Sequence, residues 1–159
     1  MEKVKRPSKD NYYIGIAHAV SMRSTCIRAH AGAVIVLNDR ILSTGYSGSC
    51  RGDINCCDIG ECERMRLNIK PGENYEKCKS VHAEANALLN TSSPAIGGKM
   101  YLYFERFDEQ NHVHGGPCTM CWRMIKNAGI KEFVICEIVQ GVPHYNYYDE
   151  NAIKNKQLK

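Results

Sequence analysis

The sequence predicts an α/β fold in which helices cover both faces of a mixed sheet. Three observations predict it. Short apolar runs typical of strands alternate with segments of helical periodicity, the first two strands are close enough to form a hairpin, and 43% of the 159 residues are apolar. This length and apolar content suit one core, so we expect a single domain over residues 1–159.

The first half of the chain predicts a helix followed by a β-hairpin. Ser8 is a suitable N-cap for a helix that runs to about Met22, with apolar residues at helical spacing. A continuous apolar strand, Ala33–Leu37, turns through Asn38-Asp39-Arg40 into a second strand, Ile41–Tyr46. The hairpin therefore forms the first two strands of the sheet.

The second half continues the alternation of helix and strand. Helices are predicted over Ala83–Asn90 and from Cys118 to Asn127, and strands over Lys99–Phe104 and Glu132–Ile138. Residues 141–159 form a polar tail rich in Asn, Lys and Tyr. We expect this tail to be ordered only in part, and only within an oligomer.

The strongest functional signal is a pair of short motifs, H-A-E beginning at His82 and P-C-T-M-C ending at Cys121. One imidazole and two thiolates leave a catalytic zinc with one open position for water. The spacing of Cys118 and Cys121 places both sulfurs on one face of a helical first turn, where the helix dipole favours thiolate. Glu84, two residues after the histidine, is the expected base.

The order H-x-E followed by P-C-x-x-C is the signature of zinc-dependent nucleobase deaminases, and the sequence resembles the cytidine deaminase superfamily. The longer match, residues 82–87 with Gly45-Tyr46-Ser47-Gly48 upstream, resembles its deoxycytidylate (dCMP) deaminase branch, from about Ser24 to Cys136. The resemblance implies a three-layer α/β/α sandwich with a mixed central sheet. It also implies hydrolytic deamination of a cytosine nucleotide, with dCMP to dUMP and release of ammonia as the favoured reaction and Glu84 as the proton shuttle.

The resemblance further implies substrate-binding roles for Ala83, Ser47, Arg28 and Ser24. Ser47 stands where related enzymes have Asn, and its hydroxyl cannot make the paired contacts of an amide. In regulated dCMP deaminases this loop is implied to respond to deoxycytidine triphosphate (dCTP), so a dCTP effector is a further expectation. The family commonly assembles as dimers or hexamers, and we expect a homo-oligomer.

A long connection from Ser47 to Ser80 far exceeds the usual ~4–6 residues. A loop of this length is more easily ordered around a metal, because each ligand removes chain entropy. Position by position, the resemblance gives Cys26, Cys56, Cys62 and Cys78 as ligands of a second, structural Zn²⁺. Cys57 competes with its neighbour Cys56, and the alternative that these are ordinary reduced thiols stays open.

A charged insertion, residues 105–116, precedes the zinc cysteines and is expected at the rim of the active site. It contains His112 and His114. These two histidines are candidates for a contact with substrate or metal, and the alternative is that they are solvated. The insertion is equally a candidate oligomer contact.

Composition argues against a membrane protein and against a disulfide-rich secreted protein. No stretch approaches the ~20 apolar residues of a membrane span, and no apolar signal core follows the N-terminus, so a cytoplasmic protein is expected. In that compartment nine cysteines indicate metal or catalysis instead of disulfides.

Two other readings of the motifs remain. A deaminase of tRNA or single-stranded nucleic acid shares them, but the net charge of +4 comes with no dense basic run. Only Tyr145, Tyr147 and Tyr148, with Lys154, Lys156 and Lys159, suggest a surface for a nucleic-acid strand. A non-catalytic zinc module is the other alternative, and it would leave Glu84 without a purpose.

Overall fold

A computed structural model describes residues 5–70, 72–107 and 115–157 of the chain. The strands are β1 (Ala29–Leu37), β2 (Arg40–Tyr46), β3 (Gly48–Ser49), β4 (Ser80–Val81), β5 (Lys99–Arg106), β6 (Glu132–Val139) and β7 (Val142–Tyr148). Five of them form one sheet in the order β2-β1-β5-β6-β7, and β3 pairs with β4 separately. Only the β5–β6 pair is parallel within the large sheet. The predicted mixed sheet is therefore confirmed.

Helices lie on both faces of this sheet. They are α1 (Lys9–Ser21), α2 (Cys56–Ile59), α3 (Glu63–Arg66), α4 (Ala83–Asn90), α5 (Thr119–Asn127) and α6 (Glu150–Asn155), with a 3₁₀ turn at Tyr75–Lys77. α1 packs on β1 and β5, while α4 packs on β2 and β1. None of the helices in the described ranges has the length and apolar character that a bilayer span requires.

Two buried clusters show that the layers are on opposite sides of the sheet. Along β5, Met100 and Leu102 belong to the cluster with α4, α5 and α6, whereas Tyr101 and Tyr103 belong to the cluster with α1. Because successive side chains of a strand point to opposite faces, this alternation separates the two helix layers. The three-layer α/β/α sandwich is confirmed.

Two hairpins use the same kind of turn. Asn38 and Asp39 both have positive φ, 49° and 62°, and connect β1 to β2 as the sequence predicts. Gln140 and Gly141 repeat this geometry, 52° and 77°, between β6 and β7. Turns with two positive φ values match the twist of paired strands, which explains the two-residue loops.

The expectation for the tail is wrong, because residues 142–148 form β7 and residues 150–155 form α6 within the single chain. β7 is an edge strand whose side chains are mostly exposed, so it lacks the apolar alternation that marks most strands. Its pairing with β6 and the burial of Ile153 of α6 in the core order this segment.

The long connection between β2 and α4 is closed at its base by a short ladder. Gly48 pairs with Val81 and Ser49 pairs with Ser80. Between these pairs the chain forms only α2, α3 and the 3₁₀ turn, and Pro71 lies outside the described residues. The ladder brings the end of the loop directly to the start of α4, where the H-A-E motif lies.

The approach of α4 to β2 generates a test of the fold. A Cβ atom on Gly45 would lie 2.2 Å from the backbone nitrogen of Ala87 and 2.5 Å from the carbonyl oxygen of Ala83. We expect Gly45→Ala to lower the free energy of unfolding by about 3 kcal/mol, because backbone atoms on both sides have to move. Urea unfolding followed by circular dichroism measures this change.

Gly15→Ala is the matched control. Gly15 lies inside α1, and an added Cβ would meet no atom within 4 Å. We expect this variant to be more stable than the parent by about 0.5–1 kcal/mol, because alanine favours a helix interior. Equal effects of the two substitutions would contradict the proposed contact between α4 and β2.

Candidate metal and active site

The start of α4 presents His82 and Glu84 at the bottom of a cavity. His82 is the N-cap residue, and Glu84 lies in the first turn. Asn86 Nδ2 donates a hydrogen bond to the carbonyl of Tyr46 at 2.8 Å, and Ser43 Oγ donates to a helix carbonyl at 2.7 Å. These side-chain bonds to backbone fix the helix on β2, so both functional side chains have defined positions.

The start of α5 presents the two cysteines. Cys118 is the N-cap residue, and its sulfur accepts from the backbone N–H of Cys121 at 3.5 Å. One residue further on, the buried ring of Trp122 packs on Phe133 at 5.3 Å and on Tyr148 at 5.0 Å between ring centres. This aromatic packing holds the first turn of α5 against the sheet.

The three candidate metal ligands meet at one point. Nδ1 of His82 lies 3.4 Å from the sulfur of Cys118 and 3.5 Å from that of Cys121, and all three atoms are within 4.8 Å of one another. Tetrahedral zinc with ordinary bond lengths would place a nitrogen and a sulfur ligand about 3.5 Å apart. The donor set and its spacing therefore fit zinc, and no other group of three such donors meets this limit in the described ranges.

The three side chains also change one another's pKa values. A hydrogen bond from Cys121 and the proximity of His82 outweigh burial and lower the pKa of Cys118 to about 4. Burial opposes a charge on His82, but contact with Cys118 and the nearby Glu84 outweigh it and raise the histidine pKa. Contact with Cys118, together with burial, raises the pKa of Cys121. The surroundings of Cys118 thus favour its thiolate form, which is the form that binds a metal.

Glu84 is a carboxyl in an environment that disfavours its charge. It is only 5% exposed, and burial raises its pKa, although the positive His82 acts in the opposite direction. A raised pKa makes a carboxyl a better proton acceptor, which is what a general base requires. Its position beside the metal ligands suits the predicted proton shuttle.

The cavity above these residues has a volume of about 470 Å³, which is in the range of small-molecule sites. Its wall carries more basic than acidic side chains. The basic ones are Arg28, Arg64, Lys77, Lys79 and Arg106, and the acidic ones are Glu63, Glu84 and Glu137. Since burial disfavours the charge of Glu84, the cavity is suited to an anionic ligand.

Ser47 lines this cavity, as do Arg28 and Ala83, but its hydroxyl is already engaged. It lies 2.7 Å from the Ser24 hydroxyl and accepts from the backbone N–H of Ala31 at 3.2 Å. Ser24, which also donates to the Ser47 carbonyl at 2.8 Å, lies behind Ser47 instead of in the cavity wall. The two serines thus connect the end of β2 to the start of β1 and fix this part of the cavity wall.

The charged insertion begins as an extension of β5, because Glu105 and Arg106 pair with His30 and Ala29 of β1. Arg106 at one end of the insertion and Gly116 at the other both line the cavity. His112 and His114 lie outside the described residues.

The second group of predicted ligands also lines the cavity. Cys26, Cys56, Cys62 and Cys78 are neighbours, and the other three sulfurs add to the effect of burial in raising the pKa of the Cys56 thiol. Their sulfurs do not approach as closely as the catalytic group does. The four cysteines thus line one cavity, but no three of their sulfurs meet the spacing limit that the catalytic group meets.

The remaining cysteines point elsewhere. Cys57 is exposed and its thiol donates to Asp58 at 3.7 Å, whereas Cys56 is buried and faces the other three. Cys50 is exposed, and Cys136 is buried in the core on the α1 side. The direction of α2 therefore favours Cys56 over Cys57 as a member of the group.

Several cavity residues were missed from sequence, and three of them have defined contacts. Glu137 is buried on β6 and accepts the backbone N–H of Gly115 at 2.9 Å, and an acid after the apolar run of this strand was a usable signal. The ring of Tyr75 meets the ring of His82 edge-on at 5.4 Å, and Arg64 stacks on Tyr75. No sequence pattern brings Arg64 and Tyr75 to the site, because both come from the irregular loop.

Comparison with known proteins agrees with this site. Residues 7–137 match the cytidine and deoxycytidylate deaminase zinc-binding region. The chain is 36% identical over 137 residues to the deoxycytidylate deaminase of Mycobacterium phage D29, covering 82% of this chain and 96% of that protein. It is 35% identical over 129 residues to the deoxycytidylate deaminase of Schizosaccharomyces pombe, covering 81% of this chain but only 37% of that protein.

A similar solved structure is the dCMP deaminase of the cyanophage S-TIM5 in complex with dCMP and dUMP. The TM-score is 0.59 at 26% identity, with 84% of each chain covered. This fold is thus found in a protein that binds a cytosine nucleotide.

The serine network generates a test with a neighbouring control. We expect Ser47→Ala to lower the free energy of unfolding by about 1–3 kcal/mol, because it leaves the Ala31 N–H without its hydroxyl acceptor and removes the contact between the two serine hydroxyls. Ser49→Ala should be neutral or slightly stabilising, since the buried Ser49 hydroxyl has no hydrogen-bond partner in the described part of the chain. Urea titration of both variants measures the difference, and an equal loss in both would contradict this role of Ser47.

Proposed function

Since this chain belongs to the cytidine and deoxycytidylate deaminase family, we propose that it hydrolyses dCMP to dUMP and ammonia. The observation that carries the proposal is the buried Glu84 beside His82, Cys118 and Cys121 at the bottom of one cavity. A structural or redox cysteine pair would need neither the histidine nor a buried acid.

The reaction replaces the amino group at C4 of cytosine by an oxygen from water. Zinc, when held by the three ligands, supplies the Lewis acid that makes water nucleophilic at neutral pH. Glu84 accepts a proton from the attacking water and delivers it to N3 of the base, and then assists departure of the amine as ammonia. One C–O bond forms and one C–N bond breaks, so no redox partner is required.

The cavity favours a nucleotide over a free base. Its volume admits a nucleoside monophosphate, and its basic side chains complement a phosphate. The relatives named deoxycytidylate deaminase and the S-TIM5 complex with dCMP and dUMP support the choice of substrate. Arg28, Ser47 and Ala83, in the cavity wall, are the proposed contacts, and Ser24 acts through Ser47.

A nucleic-acid substrate has weaker support. Tyr145 and Tyr147 stack on each other at the exposed edge strand, with ring centres 6.4 Å apart. Tyr148, however, packs on Trp122, and Lys156 lies over both of these rings. The tail therefore uses part of its aromatic and basic set inside the fold instead of offering a continuous track for a strand.

A second Zn²⁺, held by Cys26, Cys56, Cys62 and Cys78, is also proposed. The support is that all four line the cavity, that the other three sulfurs act on the Cys56 thiol, and that the loop carrying three of them has little regular structure. A metal would offset the chain entropy of that loop. Four thiolates on one ion would draw the sulfurs closer than they stand without it.

The assembly and regulation are proposals based on the family. We propose a cytoplasmic homo-oligomer, a dimer or a hexamer, with dCTP as a candidate effector. The hydroxyl of Ser47 is committed to Ser24 and Ala31, so an effector response has to come from other contacts of this loop. Sedimentation velocity with and without dCTP separates the assembly from the regulation.

Glu84→Gln tests the proposed chemistry. We expect dCMP turnover to fall by about 10²–10⁴-fold, because the amide keeps the shape of the side chain but cannot shuttle a proton. Ammonia release and zinc content, measured on the same preparation, check this expectation.

Glu76→Gln, which changes an exposed carboxyl on the 3₁₀ turn, is the control and should keep parental activity. A Glu84→Gln enzyme that retained both its zinc and its full turnover would contradict the mechanism.

Cys62→Ser tests the second zinc. We expect zinc content to fall from two ions to one per chain and the melting temperature to decrease, because a thiolate ligand is lost. Cys57→Ser should change neither, since Cys57 is exposed, does not line the cavity and donates to Asp58. An unchanged zinc content in Cys62→Ser would remove Cys62 from the proposed site.

A further inference from the structure

Arg64 is a buried cation whose hydrogen-bonding capacity is mostly unused. It is 3% exposed, although it borders the cavity. Nη2 donates to the carbonyl of Lys70 at 2.7 Å. Nε and Nη1 are buried and have no hydrogen-bond partner in residues 5–70, 72–107 and 115–157.

Such an arrangement is unfavourable unless another group completes it. Burying charged N–H donors without acceptors costs more than burying neutral ones, so they are normally paired. The acid next to Arg64 in sequence, Glu63, is bonded to Arg66 at 2.5 Å and 3.1 Å. The two other arginines of the cavity wall, Arg28 and Arg106, already have interactions within the chain. Arg64 is thus an arginine of the cavity wall whose Nε and Nη1 have no hydrogen-bond acceptor among the described residues.

The position of Arg64 relative to the catalytic group is defined by two ring contacts. Its guanidinium carbon lies 4.6 Å from the centre of the Tyr75 ring, and that centre lies 5.4 Å from the centre of the His82 ring. The guanidinium therefore lies within about 10 Å of the His82 ring. A nucleoside monophosphate extends over such a distance from the reacting carbon of its base to its phosphate.

We propose that Arg64 determines the specificity for a phosphorylated substrate, by donating from Nε and Nη1 to oxygens of the 5′-phosphate. Phosphate is the matching chemistry, because it carries charge and several acceptor oxygens for the separate donors of one guanidinium. Both nitrogens are buried, and the guanidinium lies over the Tyr75 ring, so contact with a phosphate requires the side chains around Arg64 to rearrange. The inference rests on the proposed nucleotide deaminase activity.

The test compares binding of two products that differ only in phosphate, dUMP and deoxyuridine. Calorimetry on zinc-counted protein measures both affinities for the parent, Arg64→Met and Arg66→Met. We expect Arg64→Met to weaken dUMP binding by about tenfold to a hundredfold, and to change deoxyuridine binding less than about twofold. Arg66→Met, an exposed arginine two residues away, should behave as the parent.

A purely structural role of Arg64 predicts a different result, an equal loss of affinity for both ligands, and that result would overturn the inference. Parental protein that bound dUMP no more tightly than deoxyuridine would also overturn it. Because binding of product needs no turnover, these outcomes are separate from failure of the proposed function, which is absence of ammonia release from dCMP.

A second measurement keeps the inference testable if Arg64→Met does not fold. The Nε–H of Arg64 gives its own nitrogen–proton resonance, assigned by its disappearance in Arg64→Lys, which retains the charge. We expect saturating dUMP to shift this resonance in the parental protein and deoxyuridine to leave it in place. A resonance whose chemical shift does not change with dUMP, or changes equally with dUMP and deoxyuridine, would contradict contact between Arg64 and the phosphate.

Discussion

The close approach of α4 to β2 at Gly45 determines where the chemistry of this chain is located. A glycine at that point lets the backbone of the helix rest directly on the strand, where a Cβ would lie 2.2 Å from a helix nitrogen. The amide side chains of Asn86 and Asn90 then bond carbonyls of β2 at 2.8 Å and 2.9 Å. The first turn of α4, with His82 and Glu84, follows from this docking.

The second helix is held by different forces, and the metal site results from both. Trp122 packs against the sheet while Cys118 and Cys121 begin the helix beside it. Neither helix start holds three donors alone, but together they bring one imidazole and two sulfurs to zinc spacing. The close contact also lowers the pKa of Cys118, while burial raises the pKa of Glu84. The packing of the two helices therefore also affects the pKa values of the site residues.

The sequence predicted those features of the fold and the site that are encoded by short motifs and by the spacing of nearby residues. The ligand types, the helix that begins after His82 and the first hairpin all follow from short motifs. β7 was missed, because its exposed side chains carry no apolar alternation and its order comes from pairing with β6. Cys56 and Cys57 could not be distinguished from sequence, but in the structure Cys56 is buried and lines the cavity whereas Cys57 is exposed. Arg64 reaches the cavity only through the tertiary course of the loop, and no periodicity encodes that.

The most direct test of the central claim is ammonia release from dCMP, CMP, dCTP, deoxycytidine and an adenosine-containing RNA hairpin, using protein whose zinc has been counted. A buried acid beside a zinc-spaced His/Cys/Cys group in a cavity with basic walls predicts that dCMP is deaminated fastest. If the zinc-loaded protein released no ammonia from any nucleotide, or if it deaminated the RNA hairpin faster than dCMP, the proposal of a nucleotide deaminase would be contradicted.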